Sequence, residues 1–378
     1  MKNVLLTLLA LAPGLGLWAQ LPDWGNVAQD FTIEKENKTT AVKDQAITGT
    51  CWSFSTTALV ESQFLKSKGS ASIDLSEMFT VRNIYVEKAT NYLMRQGAAQ
   101  FGEGGLGHDV IRAIARYGAM PEQAYSGLIE GRNAHNHSAL SKALKQYLDS
   151  LLKKRPLPLN WLEGYTAILD KELGKAPETF TYLGKLYTPQ SFAKEVLHFN
   201  ADDYVNLTSF THKSFYKPFI LDIPDNFSNG SYYNLPLNEF VQVAKDALKN
   251  GYTFMWDADV SNSGFRQQNG LALNIPRGIK LAKDSFSIAL VKEGAYDANL
   301  RQQLFEELIT QDDHLMQATG LIKAKDGREF FTVKNSWGQQ GPYKGYIMVS
   351  EAYFGINTVS LVLPKAALSK AILQKLKL

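Results

Sequence analysis

The stretch DQAITGTCWSFS, Asp44 to Ser55, contains Cys51, the only cysteine in a chain of 378 residues. Gly49 allows the loop before the cysteine to turn tightly. Apolar residues then recur at helical spacing, and Gly69 is placed to end the helix as a left-handed cap. The pattern therefore predicts a helix that begins at Cys51 and carries Trp52, Phe54, Leu59, Val60 and Phe64.

A single cysteine has two interpretations. It is either a buried small apolar side chain or a reactive thiol. It cannot form a disulfide within its own chain, so stability must come from burial of a core. A helix N-terminus stabilises a thiolate through the helix dipole, and this position favours the reactive interpretation of Cys51.

The N-terminus predicts export. Lys2 precedes the apolar run VLLTLLALAPGLGL, and the small residue Ala19 stands just before Gln20. This pattern is typical of a secretory signal peptide, here residues 1–19. The run is too short and too interrupted by proline and glycine for a membrane span, which makes an uncleaved anchor the weaker alternative. We expect a periplasmic or secreted protein with no membrane association after cleavage.

Composition indicates a globular chain without a strongly charged partner. Hydrophobic residues make up 45% of the sequence, and 40 Lys and Arg residues balance 37 Asp and Glu residues to a net charge of +3. The charges are spread without long runs of one sign, so the balance does not favour nucleic acid as a partner.

The predicted secondary structure changes along the chain. Helical patterns dominate the first 125 residues and a second group between about 133 and 200, whereas short strand-like runs separated by Gly, Asn, Pro and Asp dominate from about 216. The predicted organisation is a signal peptide (1–19), a helical lobe (20–130), a helical insertion (131–212), a strand-rich lobe (213–365) and a C-terminal helical tail (366–378). The fold class is α+β.

Three further residues fit the chemistry of a reactive thiol. His314 is followed 21 residues later by Asn335, a spacing that lets two adjacent strands bring imidazole and amide together. Gln45 lies six residues before Cys51, and its amide could join the Cys51 backbone N–H in an oxyanion hole. The other histidines show no metal-ligand spacing with carboxylates, and FGEGGLG lacks the strand and lysine of a nucleotide-binding loop. We expect neither a cofactor nor a metal.

Together, DQAITGTCWSFS, DHLMQATG and KNSWG resemble the papain-like cysteine peptidases. The closer resemblance is to the bleomycin hydrolase and aminopeptidase C branch. It is carried by GEGGLGHDVIRAIARYGAMPEQAY, by APETFTY with YTPQSFAKEV, and by NLPLNEFVQVAKDALKNGYTFMWDADVS. The similarity extends from about residue 40 to residue 365. It implies a two-lobed papain-like fold, a helical lobe and an antiparallel β lobe, with a helical insertion.

The resemblance also implies roles. Cys51 would be the nucleophile, His314 the base and later the acid, Asn335 the orienting amide and Gln45 the support of the oxyanion. Trp337 would shield the hydrogen bond between His314 and Asn335. Asp313 would shape the cleft, and the pair Gly104 and Gly105 would let a substrate backbone approach. The alternative for Trp337 is an ordinary core aromatic, and the alternative for the two glycines is an ordinary turn.

The chain departs from the branch at both ends. Relatives carry a C-terminal arm that blocks the non-primed side of the cleft, whereas this chain ends in the helix-like AALSKAILQKLKL. Either the helix end blocks the cleft or the cleft is more open, and we expect the second, with N-acetylated peptides also cleaved. The branch is typically cytosolic, whereas this chain carries a predicted export signal. Both departures weaken the expectation of the homo-hexamer that the resemblance implies.

The predicted function is thiol-dependent hydrolysis of peptides, with an aminopeptidase as the first interpretation. The alternatives are a cysteine endopeptidase with an open cleft, a transpeptidase that uses the same residues, and a non-catalytic peptide-binding protein on the same fold.

Overall fold

The computed structural model describes residue 27 and residues 30–69, 73–282 and 285–378. The predicted signal peptide, residues 1–19, lies outside the described residues. Within these ranges, no helix is both long enough and apolar enough to cross a membrane.

The N-terminal region is built from one strand and three helices. Strand β1 (Phe31–Glu36) pairs with a long strand of the second half, and α1 (Cys51–Lys68) begins at the cysteine, as predicted. Helix α1 is buried on nearly all sides, with Trp52 and Leu59 fully inaccessible to solvent. It packs against α2 (Glu77–Met94) and α3 (Gly107–Tyr117) on one side and the sheet on the other.

The predicted helical insertion, residues 131–212, contains helices and one hairpin, but its last part forms a strand, Tyr204–Thr208, that belongs to the large sheet, so the helical region ends before the predicted boundary. Its helices are α4 (Ser138–Leu152), α5 (Trp161–Leu173) and α6 (Pro189–Glu195). Leucines every three or four residues along α4 form its buried face, which explains why the spacing predicts this helix. The hairpin of β2 (Phe180–Tyr182) and β3 (Lys185–Tyr187) was not predicted, since three-residue strands carry almost no periodic signal.

The second half forms a large mixed sheet. From one edge to the other, the strand order is β5-β6-β4-β13-β7-β10-β11-β12-β9-β8, and β1 joins at β10. Its strands are β4 (Tyr204–Thr208), β5 (Pro218–Ile220), β6 (Ser231–Asn234), β7 (Phe254–Ala258), β8 (Phe265–Arg266), β9 (Leu271–Ala272), β10 (His314–Ala324), β11 (Glu329–Lys334), β12 (Tyr346–Ser350) and β13 (Thr358–Pro364).

Four helices accompany this sheet: α7 (Leu237–Lys249), α8 (Ala298–Glu306), α9 (Glu351–Asn357) and α10 (Lys370–Leu376). Of these, the sequence predicts α7 and the C-terminal α10. Ile372 and Leu376 of α10 are buried in the same apolar cluster as the face of α7, and Lys375 forms an ion pair with Glu239 of α7 at 2.8 Å.

Helix α1 and strand β10 position the site, because they lie against each other across the two halves. The side-chain amide of Gln317 on β10 donates to the Ala58 carbonyl at 3.0 Å and to Ser62 Oγ at 2.8 Å, both on α1. The first residue of α1 is Cys51 and the first residue of β10 is His314. The two residues therefore begin neighbouring elements at the same end of the interface.

Candidate active site

Cys51 is the first residue of α1 and lies at the N-terminus of the helix. Thr50, the residue before the helix, makes no side-chain cap, and its hydroxyl is instead within 2.6 Å of the Thr48 hydroxyl. The first N–H groups of α1 are therefore not occupied by a capping side chain. The Leu315 backbone N–H, next to His314, hydrogen-bonds the sulfur and lowers the thiol pKa.

The His314 imidazole is held by Asn335, which directly follows β11. Its Nε2 lies 2.8 Å from Asn335 Oδ1. The same oxygen accepts the Ser336 backbone N–H at 2.7 Å, and Asn335 Nδ2 donates to Gln267 Oε1 at 3.0 Å. With Nε2 engaged by the amide, Nδ1 is the ring nitrogen left to exchange a proton with the thiol. Gln267 was not predicted, because a single glutamine in a short 3₁₀ turn has no sequence signature.

Trp337 covers this pair. Its ring stacks on the His314 imidazole with centroids 4.6 Å apart and an interplanar angle of 27°. His314 is only 4% exposed and Asn335 only 2% exposed. The stack is the geometry that the predicted shielding role requires, although Trp337 also packs edge-on against Phe265 as a core aromatic would.

Gln45 is fixed beside the thiol by two hydrogen bonds. Its Oε1 accepts from Ser336 Oγ at 2.6 Å, and its Nε2 donates to the Thr48 carbonyl at 2.7 Å. The second N–H of the amide is left for another acceptor. Since Ser336 also contacts Asn335, one residue connects the predicted oxyanion donor to the amide that holds His314.

Burial dominates the electrostatics of the thiol and imidazole. It raises the pKa of Cys51 to about 12 and lowers the pKa of His314 to about 4. The hydrogen bond that His314 donates to Asn335 and the charge of Asp313 both oppose the shift of the His314 pKa. Proton transfer from Cys51 to His314 creates two opposite charges side by side, whose attraction offsets the cost of burying each one.

The predicted substrate-binding glycines have different surroundings. Gly105 packs on the Trp52 indole, where an added Cβ atom would lie 3.1 Å from the ring. Gly104 faces the carboxylate of Asp225, and an added Cβ atom would overlap that carboxylate. The face of Gly104 that the sequence assigns to a substrate backbone is thus occupied by a side chain of the protein.

Asp313 has a local structural contact. The side chain is exposed, and its Oδ2 accepts the Val260 backbone N–H at 3.1 Å. This bond joins the segment before His314 to the loop after β7. The contact fits the predicted role in shaping the cleft.

Several residues near the thiol were missed by the sequence reasoning. Glu103 binds the Gly49 N–H at 2.7 Å through its carboxylate and the Trp52 indole N–H at 3.0 Å through its carbonyl. The Lys88 ammonium donates to the Gly104 carbonyl. Asp225, Asp257 and Asp312 all lie near enough to raise the thiol pKa. Of the acidic residues near the site, the sequence reasoning named only Asp313, the neighbour of Asp312.

The remaining histidines have structural roles where the structure shows contacts. His108 is hydrogen-bonded through both ring nitrogens, to Tyr232 at 2.9 Å and Ser228 at 2.8 Å. His137 is buried beside Tyr85, and His212 contacts Gln302 at 3.0 Å. These contacts give each of the three histidines a structural partner.

The fold and the arrangement around Cys51 define a cysteine peptidase of papain-like α+β architecture. The model of the Peptidase C1-like family matches residues 168–378, and that of the papain family cysteine proteases matches residues 27–143. The chain therefore belongs to the Peptidase C1-like family. The predicted family and fold class are confirmed.

Curated relatives agree with this assignment, and one crystal structure shares the fold. Aminopeptidase C of Lactobacillus delbrueckii subsp. lactis is 24% identical over 391 residues, covering 90% of this chain and 82% of the relative. Aminopeptidase W of the same organism is 25% identical over 406 residues, covering 92% and 85%. The crystal structure of pepw from Lactobacillus rhamnosis HN001 matches with a TM-score of 0.72 at 22% identity, covering 92% of this chain and 84% of the other.

Proposed function

We propose that this cysteine peptidase is an aminopeptidase that removes N-terminal residues from peptides through a thioester on Cys51. The single observation that carries the proposal is the hydrogen-bonded set around the thiol: His314 held by Asn335 at 2.8 Å, next to a cysteine at an uncapped helix N-terminus. The aminopeptidase relatives, which align with about nine-tenths of the chain, support the choice of substrate.

The chemistry follows from the contacts. The Cys51 proton moves to His314 Nδ1, and the sulfur attacks the carbonyl carbon of the scissile bond. The negative oxygen that forms receives hydrogen bonds from the Cys51 backbone N–H and the free N–H of Gln45. His314 then protonates the leaving nitrogen as the C–N bond breaks, which leaves a thioester. A water molecule gives its proton to His314 and attacks the thioester, which restores the thiol and releases the acid product.

One contact favours aminopeptidase action over the open-cleft endopeptidase that the sequence suggests. The Asp225 carboxylate fills the face of Gly104, where the chain of a longer substrate would pass. Helix α10 packs on α7, so this contact comes from the loop between β5 and β6 and not from α10.

The test is product analysis with matched peptides. A hexapeptide with a free N-terminus should lose residues one at a time, whereas its N-acetylated form should be cleaved much more slowly when the products are followed by mass spectrometry. A Cys51→Ala sample serves as the blank. Internal fragments that form from the acetylated peptide as fast as products form from the free peptide would show an endopeptidase, and no cleavage of either peptide would contradict the function.

We also propose that the chain is exported, on the basis of the apolar run after Lys2 and the small residue Ala19. The mature protein should begin at Gln20 and lie in a periplasm or outside the cell. Mass spectrometry of the N-terminal peptide from fractionated cells tests this, and an intact Met1 in the cytosolic fraction would contradict it. Assembly into a hexamer is proposed from the resemblance alone and is tested by sedimentation velocity.

A further inference from the structure

The loop that reaches Gly104 is held in one conformation by an asparagine. Asn226 Nδ2 donates to the Leu221 carbonyl at 2.8 Å and the Gly230 carbonyl at 2.9 Å, and its Oδ1 accepts the Gly230 N–H at 2.7 Å. Asp225, the neighbour of Asn226 on the side of the thiol, therefore lies in a loop whose hydrogen bonds run through one buried side chain, that of Asn226. The position of Asp225 against Gly104 is therefore fixed by the hydrogen bonds of this loop.

Three carboxylates meet beside the thiol. We call Asp225, Asp257 and Asp312 the acidic cluster. The Asp225 backbone N–H donates to Asp312 Oδ2 at 3.2 Å, which joins the loop to the segment before His314. Asp257 pairs across the sheet with Leu315, whose N–H contacts the Cys51 sulfur, and its own charge raises the thiol pKa. The cluster thus lies on the side of Cys51 that Gly104 borders.

Two oxygens of the cluster lack partners. Asp257 is fully buried, and one of its oxygens accepts from Ser360 Oγ at 2.9 Å. Its other oxygen, Oδ1, and Oδ1 of Asp312 are buried without a hydrogen-bond partner among the described residues. A buried carboxylate oxygen without a donor costs free energy, so the folded chain leaves two strong acceptors for a ligand that brings donors.

The charged groups around the cluster leave it short of positive charge. Lys88 faces it from α2, but its ammonium donates to the Gly104 carbonyl. Arg301 of α8 lies near Asp257. Its Nε and Nη1 groups donate to the carbonyls of Ser209, Gly355 and Ile356, and its Nη2 is buried without a hydrogen-bond partner among the described residues.

The other neighbours are acidic. Asp109 is paired with Arg112 at 2.9 Å, and Glu103 and Asp313 add further negative charge. Burial raises the pKa of Asp312 to about 7 and raises those of Asp225 and Asp257 as well. A cation bound here would offset that cost.

We propose that the acidic cluster binds the free α-ammonium of the substrate and ends the peptide at its first residue, next to Cys51. An ammonium group carries three N–H donors, which suit carboxylate acceptors, and charge-assisted hydrogen bonds of this kind are the strong ones. The Asp225 carboxylate leaves no space along Gly104 for a second residue. This inference rests on the proposed peptidase function and names the residues that would restrict it to N-terminal residues.

The cluster also couples recognition to the nucleophile. Its negative charges raise the Cys51 pKa, so a bound ammonium would lower that pKa and favour the thiolate when a correct substrate is present. An N-acetylated peptide brings no such charge. Substitution of a cluster carboxylate should therefore weaken cleavage of the free peptide while sparing cleavage of the N-acetylated peptide, which loss of the fold would not do.

The experiment compares Asp225→Asn and Asp312→Asn with Asp222→Asn, an exposed aspartate on the same loop. With a free alanyl peptide, kcat/KM should fall by about 10- to 100-fold in the two cluster variants, with the N-acetylated peptide unaffected or cleaved faster. Alkylation of Cys51 by iodoacetamide should be unchanged or faster, by up to about tenfold for one pKa unit. Asp222→Asn should match the wild type. Equal losses with both peptides, or no loss in either cluster variant, would overturn the proposal.

A second measurement uses the unmodified enzyme and does not require turnover. Isopropylamine, which brings an ammonium group but no carbonyl for the thiol to attack, should change the rate of iodoacetamide alkylation of Cys51 in a saturable manner, whereas N-isopropylacetamide at the same concentration should not. Identical effects of the two compounds would refute ammonium binding. Because this readout needs no peptide cleavage, it separates failure of the cluster from failure of the peptidase function.

Discussion

The two ends of the site are built in opposite ways. At the chemical end, Cys51, His314 and Gln45 are buried, and the imidazole and amide are held by hydrogen bonds to Asn335 and Ser336. At the acidic end, Asp257 and Asp312 keep buried oxygens without donors. The catalytic side chains already have hydrogen-bond partners that hold them in place, whereas the carboxylates of the acidic cluster have acceptor oxygens that a ligand could fill. We therefore expect changes at the chemical end to alter the rate of cleavage, and changes at the acidic end to alter the preference for peptides with a free N-terminus.

The largest effect is expected at the chemical end. Cys51→Ala should lower kcat/KM by about 10⁴-fold or more, because no other group in the site can form the thioester. The measurement is peptide turnover with the fold checked by circular dichroism. Ser67→Ala, near the exposed end of the same helix, is the control and should keep full activity. A folded alanine variant that keeps a few per cent of the turnover would rule out this nucleophile.

The next effect tests the oxyanion. Gln45→Ala should lower kcat by roughly 10²- to 10³-fold with little change in KM, because its amide acts on charge that develops during attack. Alkylation of Cys51 should change much less, and Gln190→Ala, an exposed glutamine far along the chain, should behave as wild type. A rise in KM alone would make Gln45 a substrate-binding residue.

A pH experiment tests the acidic end. Burial raises the pKa of Asp312 to about 7, so this carboxylate gains a proton as the pH falls below that value. Between pH 7.5 and 5.5, the ratio of kcat/KM for free and N-acetylated peptides should fall by about 10- to 30-fold. The ratio cancels the pH dependence of Cys51 and His314. In Asp312→Asn the ratio should be low and nearly flat, and a flat ratio in the wild type would contradict the role of this group.

Substitution of Gly104 should have a smaller effect at the acidic end, and Gly102 provides the comparison. In Gly104→Ala, the new methyl group must displace the Asp225 carboxylate, so kcat/KM for the free peptide should fall about tenfold, or 1.4 kcal/mol. Gly102→Ala is the matched control, since an added Cβ atom there meets nothing within 4 Å. Equal kinetics for the two variants would show that the contact with Asp225 does not govern selectivity.

The smallest effect is expected from the C-terminus. Deletion of Lys377 and Leu378 should change the ratio of blocked to free peptide cleavage by less than about twofold, because α10 is anchored on α7 through Lys375 and Glu239. Removal of residues 370–378 should leave the ratio similar but lower the melting temperature, since Ile372 and Leu376 are buried. Cleavage of acetylated peptides only after truncation would show that the tail is the blocking arm after all.

The parts of the fold that could be predicted from the sequence are those with a repeating local pattern of apolar residues. The helical spacing after Cys51 and the leucines of α4 predicted those helices, because one buried face repeats with the helical period. The hairpin β2–β3 and helices α8 and α9 were missed, since short elements are stabilised by their neighbours more than by their own pattern. The same reason hid Gln267, which reaches Asn335 from a distant turn.

The sequence by itself determined the family, the α+β class and the candidate residues Cys51, His314, Asn335 and Gln45, because these residue types occur in a specific order and spacing. Only the tertiary structure decided what lies opposite Gly104. Asp225, Asp257 and Asp312 come from a loop, a strand and the segment before another strand, and no spacing relates them along the chain. Their unmet acceptors arise from burial and cross-strand packing, which exist only when the two halves of the molecule meet.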